Sequence, residues 1–203
     1  MSTVKNNIKY KKGSYKDRFA KLANLNLIVF HTGDLANLWQ ITNTNTLHTT
    51  LKRYAKEGLI IRIYRGLYSL RPISQIDPTF LGAKALHKYA YVSTETILFQ
   101  AGIINHSISQ ITLVSSSSRK FSIGENNYFV RKLADRFLYQ DIGIFEDDGI
   151  KKATPERAVA DLLYFNPKVH LDNEKMIDWK KVKQLQRQIG YPLTFERYKT
   201  KMG

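Results

Sequence analysis

The apolar positions in the first third of the chain follow helical spacing in three places, separated by short β-prone runs. They predict helices from about Tyr15, over residues 35–39 and over residues 45–57, and strands over residues 28–30, 59–64 and 67–70. Thr32 or Asp34 is expected to cap the second helix, and Gly58 to end the third, because glycine adopts the left-handed conformation at little cost. The order helix, strand, helix, turn, helix, hairpin is typical of a winged helix-turn-helix.

A change of pattern after Pro72 predicts a second domain of mixed helices and strands. Asp77-Pro78 and Thr154-Pro155 are expected to open helices as cap and first-turn proline, and Ser93 to cap a helix over residues 93–100. Strands are predicted over residues 111–114, 120–123, 128–130 and 138–145, and a last helix over residues 177–189.

The predicted fold class is therefore α+β, an N-terminal winged helix-turn-helix followed by a mixed α/β C-terminal domain. Its predicted parts are a basic flexible arm over residues 1–14, the winged helix-turn-helix over residues 15–72, and the C-terminal domain over residues 77–203. The boundaries follow the Gly13-Ser14 pair and the linker around Pro72.

The composition is typical of a folded, strongly cationic protein. The 203 residues include 32 Lys and Arg against 17 Asp and Glu, for a formal charge of +15, with 43% hydrophobic and 12% aromatic residues. Residues 1–75 hold 13 basic and three acidic residues, so two thirds of the charge excess lies there. This concentration indicates a polyanion-binding module, although a solvated cationic surface has the same composition.

Several kinds of site are excluded or disfavoured by what the sequence lacks. No cysteine is present, which excludes disulfides, thiolate zinc sites, iron–sulfur clusters and a cysteine nucleophile. The N-terminus is polar and no apolar run approaches the roughly 18 residues that span a bilayer, so a cytoplasmic protein without a membrane segment is expected. The five histidines have no metal-ligand spacing, and no cofactor or metal is predicted.

The predicted third helix and the hairpin carry the candidate DNA-binding residues. In a winged helix-turn-helix this helix enters the major groove, where short polar side chains read base edges and cations hold phosphates. The candidate base-reading residues are Asn43, Thr44, Asn45, Thr46, His48 and Thr49. The candidate phosphate-binding residues are Lys52, Arg53, Lys56, Arg62, Tyr64 and Arg65. Thr50 is expected on the same polar face. The alternative is that residues 42–46 only cap the helix and that the cations are solvated.

A catalytic alternative rests on the carboxylates Asp141, Glu146, Asp147 and Asp148. Two-metal phosphodiester cleavage requires convergent carboxylates, so the alternative function is a metal-dependent nuclease that uses the winged helix for substrate delivery. Residues 146–149 also have the composition of a solvated β-turn, which is the favoured interpretation. The serines at 115–118 are expected to form a loop, because no histidine or lysine is spaced to activate them.

Two stretches of the chain resemble the AbiEi family, the antitoxins of the abortive-infection AbiE toxin–antitoxin systems. The first comprises Leu51-Lys52-Arg53, Glu57-Gly58-Leu59-Ile60 and Tyr64-Arg65-Gly66-Leu67-Tyr68. The second is the sequence ATPERAVADLL at residues 153–163, and the resemblance covers about residues 15–165.

The resemblance implies a non-enzymatic, sequence-specific DNA-binding regulator that represses its own operon. Its partners would be double-stranded operator DNA, with or without inverted repeats, and a nucleotidyltransferase-like toxin that the second domain counteracts. The second-domain motif contributes Thr154, Glu156, Arg157 and Asp161. Arg157 and Asp161 can pair across one helical turn, and a helix-surface salt bridge is expected. A protein-docking role for the winged helix is a further alternative.

Overall fold

The computed structural model describes residues 15–25 and 27–193, and the chain divides into two compact units, residues 1–75 and 76–203. The basic arm predicted over residues 1–14 lies outside the described residues.

The N-terminal unit combines three helices with a small antiparallel sheet. The helices are α1 (Tyr15–Ala23), α2 (Thr32–Trp39) and α3 (Thr44–Lys56), and the strands are β1 (Val29–His31), β2 (Ile61–Tyr64) and β3 (Leu67–Ser69). The sheet has the order β1-β3-β2, and a single turn of 3-10 helix follows at Ile73–Gln75. These elements match the predicted order to within one or two residues at most ends.

The core of the N-terminal unit forms where the three helices meet the sheet. Its buried members are Leu22, Phe30, Leu35, Trp39, Leu47, Leu51, Tyr54, Ile60 and Tyr68. The ring of Trp39 packs edge-on against that of Tyr54 at 5.5 Å, and the indole N–H of Trp39 donates to the carbonyl of Arg18 at 2.9 Å. The packing of α3 on this core therefore fixes which of its faces remains in solvent.

The start of α2 differs from the prediction. His31 is the N-cap residue, and the backbone N–H of His31 donates to the Asp34 carboxylate at 2.8 Å. Asp34 lies in the first turn instead of at the cap, where it still offsets the positive end of the helix dipole. Thr32 is the first helical residue, and its N–H donates to the carbonyl of Gly66 at 2.9 Å.

The C-terminal unit is built on a six-stranded mixed sheet. The helices are α4 (Pro78–Ala85), α5 (Glu95–Gln100), α6 (Asp135–Leu138), α7 (Pro155–Phe165) and α8 (Trp179–Ile189), with a 3-10 turn at Glu174–Met176. The strands are β4 (Ala90–Val92), β5 (Ile111–Ser115), β6 (Arg119–Ile123), β7 (Asn126–Lys132), β8 (Ile144–Asp147) and β9 (Ile150–Ala153). The α+β class is thereby confirmed.

The strand order of this sheet is β6-β7-β5-β4-β9-β8. The β5–β7 and β4–β9 pairs are parallel, and the other pairs are antiparallel. Helix α7 contacts α5, α8 and β9, whereas α4 contacts β4, β5 and β9. The short strand β4 therefore joins the two halves of the sheet.

Two predictions for the C-terminal unit are wrong in part or in full, and two strands were not predicted. The strand predicted over residues 138–145 is wrong over residues 138–143, which are the last residue of α6 and a loop, and β8 begins at Ile144. Strands β4 and β9 were not predicted, because each is only three or four residues long and β9 contains two lysines. Thr94, not Ser93, is the N-cap residue of α5, and its side chain makes no capping hydrogen bond.

The helix openings at Asp77 and Thr154 are confirmed. The Asp77 carboxylate accepts from the N–H of Phe80 at 2.8 Å, and Pro78 occupies the first turn of α4. The Thr154 hydroxyl accepts from the N–H of Arg157 at 3.3 Å, with Pro155 in the first turn of α7. Local sequence therefore sets both helix starts.

Candidate nucleic-acid interface

Helix α3 separates into a packed face and a solvent face. Leu47, Leu51 and Tyr54 are buried in the core of the unit. The exposed side chains are Thr44, Asn45, Thr46, His48, Thr49, Lys52, Arg53 and Lys56. Asn45, Thr49, Lys52 and Lys56 follow one another at spacings of four, three and four, so they form a single stripe along the helix. Short polar groups thus occupy the first half of the exposed face and cations the second.

Thr50 does not belong to this face, contrary to the prediction. Its side chain is buried, and its hydroxyl donates to the carbonyl of Thr46 at 2.8 Å. A threonine inside a helix satisfies its hydroxyl in this way when it has no solvent partner. Helical spacing alone places Thr50 at the border between the packed face and the solvent face of α3. The packing of the core determines that its side chain lies on the packed face.

Asn43 serves as the N-cap residue of α3. Its side-chain oxygen accepts from the N–H of Thr46 at 3.0 Å. A bidentate pair with adenine uses both the oxygen and the amide nitrogen of an asparagine side chain. Because the oxygen of Asn43 is engaged, Asn45 is the asparagine of α3 whose geometry suits that pair.

The hairpin adds a second group of cations. Arg62 on β2 and Arg65 in the turn are exposed, whereas Tyr64 is partly buried. Gly66 has a φ of +93°, a conformation that favours glycine, and its carbonyl accepts the hydrogen bond from Thr32 noted above. The β2–β3 turn is therefore anchored to the start of α2.

Arg53 already has an acidic partner within α3. Its Nε lies 3.0 Å from Oε1 of Glu57, one helical turn further along. The side chains of Arg53 and Glu57 are 64% and 41% exposed, so water screens this ion pair. A DNA phosphate that binds Arg53 would therefore lie close to the negatively charged carboxylate of Glu57.

The Arg157–Asp161 pair predicted on the surface of α7 is buried. The Nε of Arg157 lies 2.9 Å from Oδ1 of Asp161, and both side chains are 0% exposed. The rest of the guanidinium donates to the carbonyls of Gln140 and Ile142 at 3.1 and 2.8 Å, and to the Tyr91 hydroxyl at 3.1 Å. Burial opposes the charge of Arg157, but Asp161 raises its pKa above the ordinary value. The pair is a structural centre of the C-terminal unit.

Three hydroxyls complete the shell around Asp161. Its Oδ2 accepts from Ser93 at 2.8 Å and from Tyr91 at 3.0 Å, and its Oδ1 accepts from Tyr191 at 2.6 Å. Burial, followed by the charge of Asp161, raises the pKa of both tyrosines well above the usual range. Ser93 thus bonds to a distant carboxylate instead of capping α5. No local pattern in the sequence identifies Ser93, Tyr91 or Tyr191 as members of this network.

The remaining motif residues of α7 also have structural contacts. The N–H of Thr154 donates to the carbonyl of Gly143 at 2.8 Å, in the same loop whose carbonyls bind Arg157. A carboxylate oxygen of Glu156 lies 3.2 Å from the Nζ of Lys181 on α8. The motif therefore joins α7 to its neighbours within the C-terminal unit.

Two of the four carboxylates of the nuclease alternative are paired with lysines. Asp141 lies 2.7 Å from Lys151 and also accepts from the Tyr89 hydroxyl, and these bonds lower the pKa of Asp141. Asp147 lies 2.7 Å from Lys152. Residues 148–149 form the left-handed turn between β8 and β9, with φ values of +50° and +74°. Within residues 15–25 and 27–193, no group of three or more His, Asp or Glu side chains is arranged to hold a metal ion.

The predicted serine loop is partly ordered into the sheet. Ser115 belongs to β5, is buried, and donates its hydroxyl to the carbonyl of Tyr89 at 2.7 Å. Ser117 accepts from the Nζ of Lys88 at 2.6 Å.

Comparison with known proteins gives a likeness to solved structures, but not to a family or a curated protein. No family model matches the sequence, and no curated protein matches it. A solved structure described as the RV2827C protein from Mycobacterium tuberculosis is similar with a TM-score of 0.50 at 11% identity, over 90% of this chain and 73% of that chain. At this identity the likeness concerns the fold alone. Among the helices of the described residues, none is long and apolar enough to span a membrane.

Proposed function

We propose that the N-terminal unit is a winged helix-turn-helix and that the protein is a sequence-specific, DNA-binding transcription regulator. Helix α3 would enter the major groove, and the β2–β3 hairpin would be the wing. The observation that carries this proposal is the exposed face of α3, on which hydrogen-bonding groups precede cations while the opposite face is packed in the core.

The order of residues along that face matches the two tasks of a recognition helix. The N-terminal half of such a helix contacts base edges. Here it presents Asn45 and Thr49, which can pair with adenine and contact a thymine methyl group. Lys52 and Lys56 follow on the same stripe, and with Arg62 and Arg65 they would hold phosphates.

We further propose that the protein is an AbiEi-like antitoxin that represses its own operon and counteracts a nucleotidyltransferase-like toxin. The two sequence stretches that resemble the family support this proposal. Residues 51–68 cover the end of α3 and the hairpin, and residues 153–163 cover the start of α7 with its buried ion pair. The second stretch would then preserve the fold of the C-terminal unit instead of contacting a partner.

The decisive experiment is a comparison of binding to the upstream DNA of its own gene and to a random duplex, at two salt concentrations. A regulator should bind the upstream duplex at least about a thousandfold more tightly. Weak, equal and salt-sensitive binding to both duplexes would mean that the cationic face of α3 binds DNA only through non-specific electrostatic attraction. Absence of binding to either duplex would refute the proposal.

The antitoxin proposal has its own test. Co-expression of the protein with a toxin encoded beside it should restore growth, and a variant with Arg65→Gln should repress less strongly while retaining that rescue. Failure of the intact protein to restore growth would refute the antitoxin part and leave DNA binding as a separate question.

A further inference from the structure

Glu57 is the single acidic residue between Asp34 and Asp77. It is therefore the sole negatively charged side chain in the segment that includes α3 and the hairpin. It is exposed, and its carboxylate lies 3.0 Å from the Nε of Arg53. A segment that is otherwise cationic thus places its one acid against a candidate phosphate-binding arginine.

Neither the charge of Glu57 at the end of α3 nor its pair with Arg53 adds much to the stability of the helix. Glu57 is the C-cap residue, where a negative charge lies beside the negative end of the helix dipole. In its pair with Arg53 the cation precedes the anion, which is the less favourable order for side chains four residues apart. Exposed pairs of this kind contribute little to folding in any case.

We propose that Glu57 limits the affinity of the protein for DNA by competing with phosphate for Arg53. This inference rests on the proposed DNA-binding function and concerns the strength of that same site. Phosphate contacts carry no base information, so the competition lowers binding to operator and random DNA by the same factor. Glu57 therefore determines how much of the DNA the protein occupies and how fast the protein dissociates from it, without altering the preference for one DNA sequence over another.

The test measures binding of the full chain with Glu57→Gln to the upstream and the random duplex. Both duplexes should bind about three- to tenfold more tightly at low salt, because a carboxylate near the phosphate is removed and Arg53 is released from it. The slope of log K against log salt should steepen by up to about one unit. The ratio of the two affinities should stay constant.

A second background distinguishes competition for Arg53 from general charge repulsion. In a protein carrying Arg53→Gln, the added Glu57→Gln change should increase affinity by less than about twofold, because the shared cation is absent. Glu125→Gln makes the same charge change in the exposed turn between β6 and β7, and it should alter affinity less than Glu57→Gln. Thermal unfolding of every variant checks that the fold is unchanged.

The outcomes separate this inference from the function on which it rests. Equal gains from Glu57→Gln with Arg53 intact and with Arg53→Gln present would show repulsion without competition and would overturn the inference. Specific binding of the unmodified protein with no gain from Glu57→Gln would overturn the inference alone. A protein that binds neither duplex would overturn the proposed function, and this inference with it.

Discussion

The two units contain arginine–carboxylate pairs of the same spacing in very different surroundings. The Arg53–Glu57 and Arg157–Asp161 contacts measure 3.0 and 2.9 Å, and both join residues one helical turn apart. The first pair is in water, where it is screened, and the second has no exposed surface. A buried pair is tolerated only when its remaining polar atoms are bonded, and the carbonyls and hydroxyls around Arg157 and Asp161 supply those bonds. Surroundings, not spacing, therefore determine what such a pair does.

The largest expected effect comes from removing the acid of the buried pair. Asp161→Ala should lower the free energy of unfolding by about 3–5 kcal/mol, because it leaves the charge of Arg157 buried without a counter-ion. Urea unfolding followed by circular dichroism measures this loss. Glu57→Ala is the matched change in the exposed pair and should cost less than about 0.5 kcal/mol. Similar losses in the two variants would contradict the contrast between the pairs.

The cation of the buried pair also holds the loop before β8. Arg157→Met should cost about 2–4 kcal/mol, because Asp161 and the carbonyls of Gln140 and Ile142 lose their donor. The amides of Ile144 and Thr154, which bond to carbonyls of this loop, should exchange hydrogen faster. Arg157→Lys should restore only part of the protection, since an ammonium lacks the planar fork. Unchanged rates of amide hydrogen exchange would show that the loop keeps its structure without the hydrogen bonds from Arg157.

Asn43 and Asn45 provide a similar contrast on the exposed helix. Asn45→Ala should weaken binding to the cognate duplex by about 1–3 kcal/mol and leave stability unchanged, if Asn45 reads a base. Asn43→Ala should lower stability by about 1 kcal/mol, because the cap of α3 is lost. Binding titrations and thermal unfolding of both variants measure the two effects. Equal losses of Asn45→Ala on cognate and random DNA would remove Asn45 from the base-reading set.

The buried network predicts an alkaline limit to stability. The raised pKa of Tyr91 and Tyr191 means that these hydroxyls stay protonated in the folded protein while unfolded tyrosines ionise near pH 10. The contribution of these protonated hydroxyls to the free energy of unfolding is complete below that pH. Above it, this contribution decreases by about 1.4 kcal/mol per pH unit for each proton. Urea unfolding between pH 8 and about 11 should show the decrease. Tyr191→Phe should flatten it, and an unaltered slope would exclude Tyr191 as a source.

The smallest expected effect belongs to the β2–β3 hairpin. Arg65→Gln should weaken binding to every duplex similarly and reduce the salt slope by about one unit, because one phosphate contact is lost. Titrations at several salt concentrations measure this slope. Arg119→Gln removes an exposed arginine of the C-terminal unit and serves as the charge control. A loss confined to the cognate duplex would mean that Arg65 contacts a base.

The N-terminal elements were predictable because their determinants are local. The apolar spacing of α3, the cap at Asn43 and the left-handed Gly58 are each contained within a few residues. The same holds for the helix starts at Asp77 and Thr154. Where local sequence competes with distant contacts, as for Thr50 and Ser93, the prediction was wrong.

The sheet of the C-terminal unit was less predictable for the same physical reason. Strands β4 and β9 are short and become strands by pairing with each other and with β5 and β8, and the β4–β9 pairing joins distant parts of the chain. The burial of Arg157 and Asp161 depends on hydroxyls from Tyr91, Ser93 and Tyr191, which no helical spacing connects to α7. The candidate DNA-binding residues of α3 and the hairpin remain predictions, and the structure adds which of these residues are exposed.

The reach of the network around Asp161 also orders events during synthesis. The N-terminal sheet is complete once Ser69 has left the ribosome, because its pairings lie within residues 29–69. The C-terminal centre needs strand β9, helix α7 and finally Tyr191, so its long-range contacts form late and slow its folding. We therefore expect a nascent chain to complete the sheet of its cationic unit before Tyr191, on which the second unit depends, becomes available.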